Sequence, residues 1–369
     1  MTQAILSISR RTRRTPFTSR VTSAGVKGYT VYNRMLLPSF FESVEADYHH
    51  LKEHVQVWDV ACERQVEIRG ADAGKLAQLL TPRNLGKLRE GRCFYTPVCD
   101  DKGGMLNDPL MIKLSDERYW VSIADSDFLL WVKGLSLGLG LDVDVFEPDV
   151  SPLAIQGPKS DDLLARVMGE AVREIGFFGY NWFPFMGSKL LVARSGYSKQ
   201  GGFEIYVAGS DLGEPLWDAL FAAGKDLHVR AGCPNLIERI EAGLLSYGND
   251  MTAENTPHEC GLGKYCQPEL VLDFMGRERI LQEAQKGPKQ QIRSMAIDGA
   301  PLAGASQPWP LFYKGERVGQ VTSAAWSPDF KTNVSLGMVA RSYWSEGQNL
   351  EVETPDGMRT AVIKAKSFI

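Results

Sequence analysis

The hydrophobic patterning of this chain changes period repeatedly and then loses its helical component, and that succession restricts the fold more than any single motif. Residues Glu63 to Arg69 alternate apolar and polar side chains as a half-buried strand does, and Ala71 to Leu80 then reads as a helix with Lys75 on its wet side. Strand-like runs follow at Arg92 to Cys99, Met105 to Leu114 and Arg118 to Ala124, the first two joined by a turn at Asp101-Lys102-Gly103-Gly104. A helix over Ser126 to Leu137, capped by Asp125 or Ser126, and a strand over Leu141 to Phe146 complete the set. The order strand, helix, strands, helix, strand is that of a ferredoxin-like α+β unit.

The pattern restarts at Leu153 to Gln156, with Pro158 opening a helix that carries Leu163, Leu164, Val167 and Met168 on one face. Strands at Lys189 to Arg194 and Phe203 to Val207 and helices at Asp211 to Ala223 and Asn235 to Ser246 make a second unit of similar type. From about Gly287 only short runs remain, at Gln291 to Ile297, Gly319 to Ala325, Val334 to Val339, Leu350 to Thr354 and Arg359 to Ala365. Pro, Gly and Asp turns separate them, so the tail is expected to be a small all-β domain.

With 369 residues, 44% hydrophobic and 23% charged, the chain has enough apolar content for two or three folded domains, which excludes disorder. Its net charge of -4 argues against a nucleic-acid coat or a polybasic membrane clamp. That average hides a basic head: no acid occurs up to Phe41, while Arg10, Arg11, Arg13, Arg14, Arg20, Lys27 and Arg34 all do. Such a head imitates a transit peptide, yet Tyr29, Val31, Tyr32, Met35, Leu36 and Leu37 follow as residues ready for burial, so it is expected to fold with the rest. No run approaches the roughly 18 apolar residues of a membrane span. Cys62, Cys93, Cys99, Cys233, Cys260 and Cys266 form no C-x-x-C pair, which suits free thiols in a reducing cytoplasm.

Several motifs fall short of known chemistry. His50 and His54 have a spacing that zinc can use but no third ligand nearby, so an exposed helix face is expected. The stretch from Arg194 to Gly202 does not satisfy the phosphate-loop pattern, and no G-x-G-x-x-G follows a first strand. Phe177, Phe178, Tyr180, Trp182, Phe183 and Phe185 put six rings in nine residues. They form either an interface core or a box for an onium cation, which ring quadrupoles attract without hydrogen bonds. Glu204 and Tyr206 stand two apart on a strand and so share a face beside glycines that let a ligand approach.

Taken in order, Cys93-Phe-Tyr-Thr-Pro97, Gly103-Gly-Met-Leu-Asn-Asp108, Ile155-Gln-Gly-Pro-Lys159, Ala193-Arg-Ser-Gly-Tyr197, Gly201-Gly-Phe-Glu-Ile-Tyr206, Glu238-Arg-Ile-Glu-Ala-Gly243, Tyr247-Gly-Asn-Asp250 and Glu259-Cys-Gly-Leu-Gly263 resemble the folate-dependent aminomethyltransferase (glycine-cleavage T-protein) family. Arg10-Arg-Thr-Arg-Arg-Thr-Pro-Phe17, Val26-Lys-Gly-Tyr-Thr-Val-Tyr-Asn33, Met35-Leu-Leu-Pro38, His54-Val-Gln-Val-Trp-Asp59 and Ser198-Lys-Gln-Gly-Gly202 look like its dimethylsulfoniopropionate (DMSP) demethylase branch. The resemblance implies an α+β, T-protein-like architecture of three subdomains: two ferredoxin-like units, 1–60 with 148–286 and 61–147, and a C-terminal β-barrel over 287–369. It implies tetrahydrofolate as methyl-accepting co-substrate, with DMSP demethylated to methylmercaptopropionate and 5-methyltetrahydrofolate.

By the same resemblance Glu204 meets the amino edge of the pterin, while Tyr95, Ser122, Asp125, Tyr206, Arg239 and Tyr247 line or neighbour the folate. Tyr206, Asp108 and Asn107 are the catalytic candidates, and Tyr32, Asn33, Arg34, Phe178, Trp182 and Tyr197 the substrate-binding ones. Typical T-proteins carry aspartate where this chain has Asn107. A sulfonium already contains its neutral leaving group, so losing an acid there favours direct displacement by the folate N5. Tyr197 stands where the demethylase branch suggests tryptophan, and Arg34 where it suggests histidine; Arg34 can answer a propionate carboxylate. Small-molecule sulfonium substrate and folate are the expected partners, with no nucleic acid, membrane or metal, and a homodimer is left open. A methylated amine as donor (betaine, dimethylglycine, glycine), or a non-catalytic folate-binding protein of the same fold, are the alternative readings.

Overall fold

A computed structural model describes residues 7–271 and 273–369, which divide into two compact units. The first takes in 7–64, 149–196 and 200–233. Its centre is a six-stranded sheet in the order Tyr180–Phe185, Ser188–Ala193, Gly202–Ala208, Val150–Gln156, Gln56–Asp59, Arg230–Gly232. All neighbours are antiparallel except the last pair. Helices Ser160–Met168 and Gly213–Ala223 cover one face, where Leu163, Leu164, Leu216 and Leu220 meet Leu153, Ile155, Val192, Phe203, Ile205 and Val207. Pro158 lies ahead of the cap residue Lys159, so it precedes the first helix rather than opening it.

The basic head belongs to this unit. The Thr15 hydroxyl donates to the buried Asp59 carboxylate at 2.6 Å, and the Arg20 guanidinium forks onto Asp218 with two bonds of 2.7 Å. Arg20 of the basic head thus pairs with an acid of the body. Strands Gly28–Tyr32 and Met35–Phe40 form a hairpin beyond it.

The second unit takes in 65–148, 197–199 and 234–369. It holds a five-stranded antiparallel sheet in the order Asp144–Phe146, Gln65–Arg69, Arg118–Ser122, Leu110–Ser115, Cys93–Tyr95. Helices Ala73–Leu79 and Phe128–Gly138 supply Leu76, Ala77, Phe128 and Val132 to its core. Two runs expected to be continuous strands each break in two. Cys93–Tyr95 and Val98–Cys99 part at Thr96-Pro97, and Met105–Asn107 and Leu110–Ser115 at Asp108-Pro109, because proline has no N–H for the ladder. The turn between the two runs closes as expected, with Asp100 N–H donating to Gly104 O at 2.9 Å.

Two helix expectations need correction. The second helix starts at Phe128 with Asp127 as cap residue, which makes no capping bond through its side chain; Ser126 is engaged elsewhere. The helix expected over Asn235 to Ser246 is only Leu236–Glu241, capped by the Asn235 amide, and Gly243 at φ +68° turns the chain away.

The tail closes into a six-stranded barrel: Gln290–Ile297, Thr332–Ala340, Glu316–Ser327, Trp309–Tyr313, Asn349–Thr354, Gly357–Ile363 and back to the first. Sequence patterning missed Trp309–Tyr313, whose Pro310 argues against a strand, and helix Arg277–Lys286, which buries Ile280 alone. Among the described residues no helix is long and apolar enough to cross a membrane.

Candidate functional site

Alternation along Gly202–Ala208 sends Phe203, Ile205 and Val207 into the helix-covered core and Glu204 and Tyr206 to the opposite face. Strand register extends that face sideways. Tyr206 lies opposite Leu191, which lies opposite Trp182; Glu204 lies opposite Ala193 and Ala154, which continue to Tyr180 and Trp58. The aromatic cluster is therefore divided by the pleat. Phe183 and Phe185 pack with the helices, while Tyr180 and Trp182 share the face of Glu204 and Tyr206. Trp182 sits on the edge strand with 38% of its surface exposed.

Glu204 and Tyr206 are both buried. The Ser195 hydroxyl donates to Glu204 Oε2 at 2.5 Å and the Tyr206 hydroxyl to the same oxygen at 3.4 Å. Burial pushes the Glu204 carboxyl above its ordinary range, and these two donors pull against it. Oε1 takes no hydrogen bond among the described residues. A buried carboxylate with one open oxygen is an acceptor for a ligand's N–H groups.

Of the remaining substrate-binding candidates of this unit, Tyr32 ends the strand Gly28–Tyr32 and the others lie in turns. Asn33 and Arg34 are the two residues of the Tyr32 to Met35 hairpin turn, both at positive φ (47° and 63°). The Asn33 amide donates to Cys62 O at 2.9 Å, and Arg34 O accepts from Arg13 N–H at 2.7 Å. Phe178, at φ 55°, packs its ring against that of Phe177 in a tilted pair with centroids 4.2 Å apart. Neither the turn nor Phe178 belongs to the strand register that gathers Trp182, Glu204 and Tyr206.

The second unit builds a different constellation. The Tyr95 hydroxyl donates to Asp108 Oδ2 at 2.8 Å, and the Tyr265 ring meets that of Tyr95 edge-on at 5.4 Å. Burial raises the Asp108 carboxyl to about 7, against the Tyr95 hydrogen bond, with nearby Asp250 adding to the rise. Tyr247 donates to Met105 O at 2.9 Å and is pushed up to about 12 by burial and then by Asp108. The Tyr197 hydroxyl is held by Leu245 O at 2.7 Å.

Three sequence-expected residues of this unit act on the protein itself. The Asn107 amide clamps the loop after Arg118–Ser122: it accepts from Ala124 N–H at 3.0 Å and donates to Ala124 O and to the Ser126 hydroxyl. Ser122 accepts from the Gln65 amide at 2.9 Å. Arg239 is buried against Asp250 at 2.7 Å and donates to Ser323 Oγ at 2.7 Å, tying its helix to the barrel. Asp125 is exposed in the loop that Asn107 holds.

Ser195, Gln156, Trp58 and Tyr265 were not singled out by sequence. Ser195 lay in plain view in Ala193-Arg-Ser-Gly-Tyr197, yet only strand register shows that it abuts Glu204. The expected exposed histidine face is a correction. His50 is buried, its Nε2 is 2.8 Å from His228 O, and burial lowers it to about 4.

Comparison with known proteins gives two family matches: residues 17–269 to the GCVT N-terminal domain and residues 291–369 to the glycine cleavage T-protein C-terminal barrel domain. Dimethylsulfoniopropionate demethylase DmdA of Ruegeria pomeroyi is 59% identical over 357 residues, 96% of this chain and 97% of that protein. An aminomethyltransferase of Thermoanaerobacter pseudethanolicus is 28% identical over 342 residues, 90% of this chain and 91% of its own length. The crystal structure of the glycine cleavage system aminomethyltransferase T from Bartonella henselae superposes with a TM-score of 0.86 at 22% identity, covering 97% of this chain and 98% of that one, and shows the shared fold.

Proposed function

Because the chain belongs to the glycine cleavage T-protein family, we propose that it is a tetrahydrofolate-dependent methyltransferase that demethylates DMSP. The observation that carries this reading is the near full-length identity of 59% to a DMSP demethylase, joined to a face that fits both ligands. Glu204 offers one open carboxylate oxygen to the amino edge of a pterin, and Tyr206 stands beside it. Trp182 presents its ring from the same face, as a sulfonium requires.

When bound, tetrahydrofolate supplies a nucleophilic N5. That nitrogen would take the methyl carbon while the S–C electron pair stays on sulfur as a neutral thioether, and the N5 proton would pass to water or a neighbouring base. The protein's share of the work is alignment and exclusion of water around a cation. Asp108, poised near neutrality, is the group of its own cluster able to exchange a proton at the pH of the reaction. Tyr95, Ser122, Asp125 and Tyr247 as folate-lining residues, and Tyr32, Asn33, Arg34, Phe178 and Tyr197 as substrate-binding ones, belong to the same proposal, to be tested one substitution at a time. Arg239 as a folate neighbour and Asn107 as a catalytic candidate belong to it too, with Nη1 and Nη2 of Arg239 bonded to Asp250 and Ser323 and the Asn107 amide bonded to Ala124 and Ser126. A reducing, cytoplasmic setting suits the six free thiols.

The deciding assay follows DMSP consumption and folate products together. One 5-methyltetrahydrofolate should form per DMSP lost; 5,10-methylenetetrahydrofolate instead would overturn direct methyl transfer. Competition by glycine betaine or dimethylglycine reads out the methylated-amine alternative. Folate binding without turnover of any donor would make the chain a folate-binding protein only.

A further inference from the structure

The Gln156 side chain is sealed into the sheet by two glycines. A Cβ added at Gly196 would lie 2.1 Å from Gln156 Nε2, and one at Gly202 2.6 Å from the same atom. The buried amide donates to Ser195 O at 3.3 Å and Phe203 O at 3.4 Å, so it bridges the turn after Ser188–Ala193 to the start of Gly202–Ala208. The distance between those two segments decides where the Ser195 hydroxyl meets Glu204. Both donors to Glu204 fall on Oε2, so the rotation of the carboxylate is set by Ser195 and Tyr206 together, with Oε1 turned away from them.

We propose that Ser195, held in place by Gln156 between Gly196 and Gly202, is a positioning residue that fixes the Glu204 carboxylate for ligand binding. This rests on the reading of Glu204 as the pterin acceptor. A hydroxyl that donates to a carboxylate favours its charged form, so Ser195 does more than fill space: it keeps the acceptor charged down to lower pH. Gln156 sets the backbone from which that hydroxyl acts. Without the hydroxyl, the buried carboxyl takes up a proton at higher pH and its bound ligand is lost there first.

The test is anaerobic titration of the full-length protein with tetrahydrofolate from pH 5 to 9, comparing wild type, Ser195→Ala, Ser195→Thr and Glu204→Gln. The ligand's own titration is common to all four. Ser195→Ala should move the acidic limb of the affinity profile upward by about one pH unit, as loss of one charge-assisted bond implies, and weaken binding about tenfold on that limb. Ser195→Thr, which keeps the hydroxyl, should restore the wild-type limb, and Glu204→Gln should flatten it. If Glu204→Gln flattens the limb while Ser195→Ala leaves it in place, the role of Ser195 is refuted and the pterin reading survives. If Glu204→Gln changes neither affinity nor limb, the pterin reading fails and takes this proposal with it. Should Ser195→Ala fail to fold, Ser195→Val against Ser195→Thr isolates the hydroxyl, and coincident limbs for that pair overturn the proposal.

Discussion

Replacing Arg239 by methionine separates a strut from a ligand-binding group. The guanidinium donates to Asp250 Oδ2 and Ser323 Oγ, both at 2.7 Å, and the two charged side chains are 7% and 0% exposed. Removing one partner of a buried ion pair costs about 3–5 kcal/mol, because the other charge stays behind in a poor solvent for it. Asp250 would keep the Ser246 N–H and the hydroxyls of Thr322 and Ser323, so Arg239→Met belongs at the lower end, about 3 kcal/mol. Asp250→Asn strands a buried cation among neutral acceptors and belongs near the upper end, about 5 kcal/mol. The double variant carries neither charge and should fall short of the sum by about 2–3 kcal/mol. Urea unfolding followed by tryptophan fluorescence measures all three, alongside tetrahydrofolate titration of the folded proteins. Arg239→Met with an unchanged midpoint and a raised folate Kd would refute the strut and return the residue to the binding face.

Three further outcomes are expected. Asp108, raised from 3.8 to about 7 by burial, holds its proton more tightly folded than unfolded, so stability is full below about pH 4 and falls as pH climbs to 7. The ceiling is about 4 kcal/mol, and with the side chain partly open to solvent about 2 is expected; Asp108→Asn should recover it above pH 7 and gain nothing at pH 4, read from urea midpoints. Asn107→Asp puts a carboxylate against Ala124 O where an amide donated, and should cost about 1–3 kcal/mol at pH 8 but much less at pH 4, where the acid can donate; equal loss at both pH values would refute the clamp. Gly196→Ala places a Cβ 2.1 Å from Gln156 Nε2 at φ +154°, and should lower thermal stability by about 3 kcal/mol or prevent folding; a midpoint within a degree of wild type would show that the amide moves aside freely.

Much of the fold was legible because its signals are local. The switch from helical period to short runs near Gly287 marks the barrel, and the alternation around Phe203, Ile205 and Val207 marks the strand whose other face carries Glu204 and Tyr206. Trp309–Tyr313 escaped because Pro310 violates strand preference and closure of the barrel overrides it. Helix length near Glu241 was overestimated, since apolar periodicity continued past the point where Gly243 redirects the backbone. Candidate residues were named by motif, but motif does not say what a side chain is bonded to. Arg239 and Asn107 sit in motif strings and prove to be bonded within their own surroundings, whereas Ser195 acquires its meaning only from the strand beside it.

Strand Gly202–Ala208 encodes two messages in alternate residues, one for the helices and one for the face of Glu204 and Tyr206. A slip of one residue against Val150–Gln156 would exchange them, sinking a carboxylate and a phenol among leucines while turning three oily side chains outward. No misregistered copy could therefore persist as a well-folded protein with a faulty face. Core and face are thereby tied to one register: a copy that lost the face of Glu204 and Tyr206 would lose its core with it.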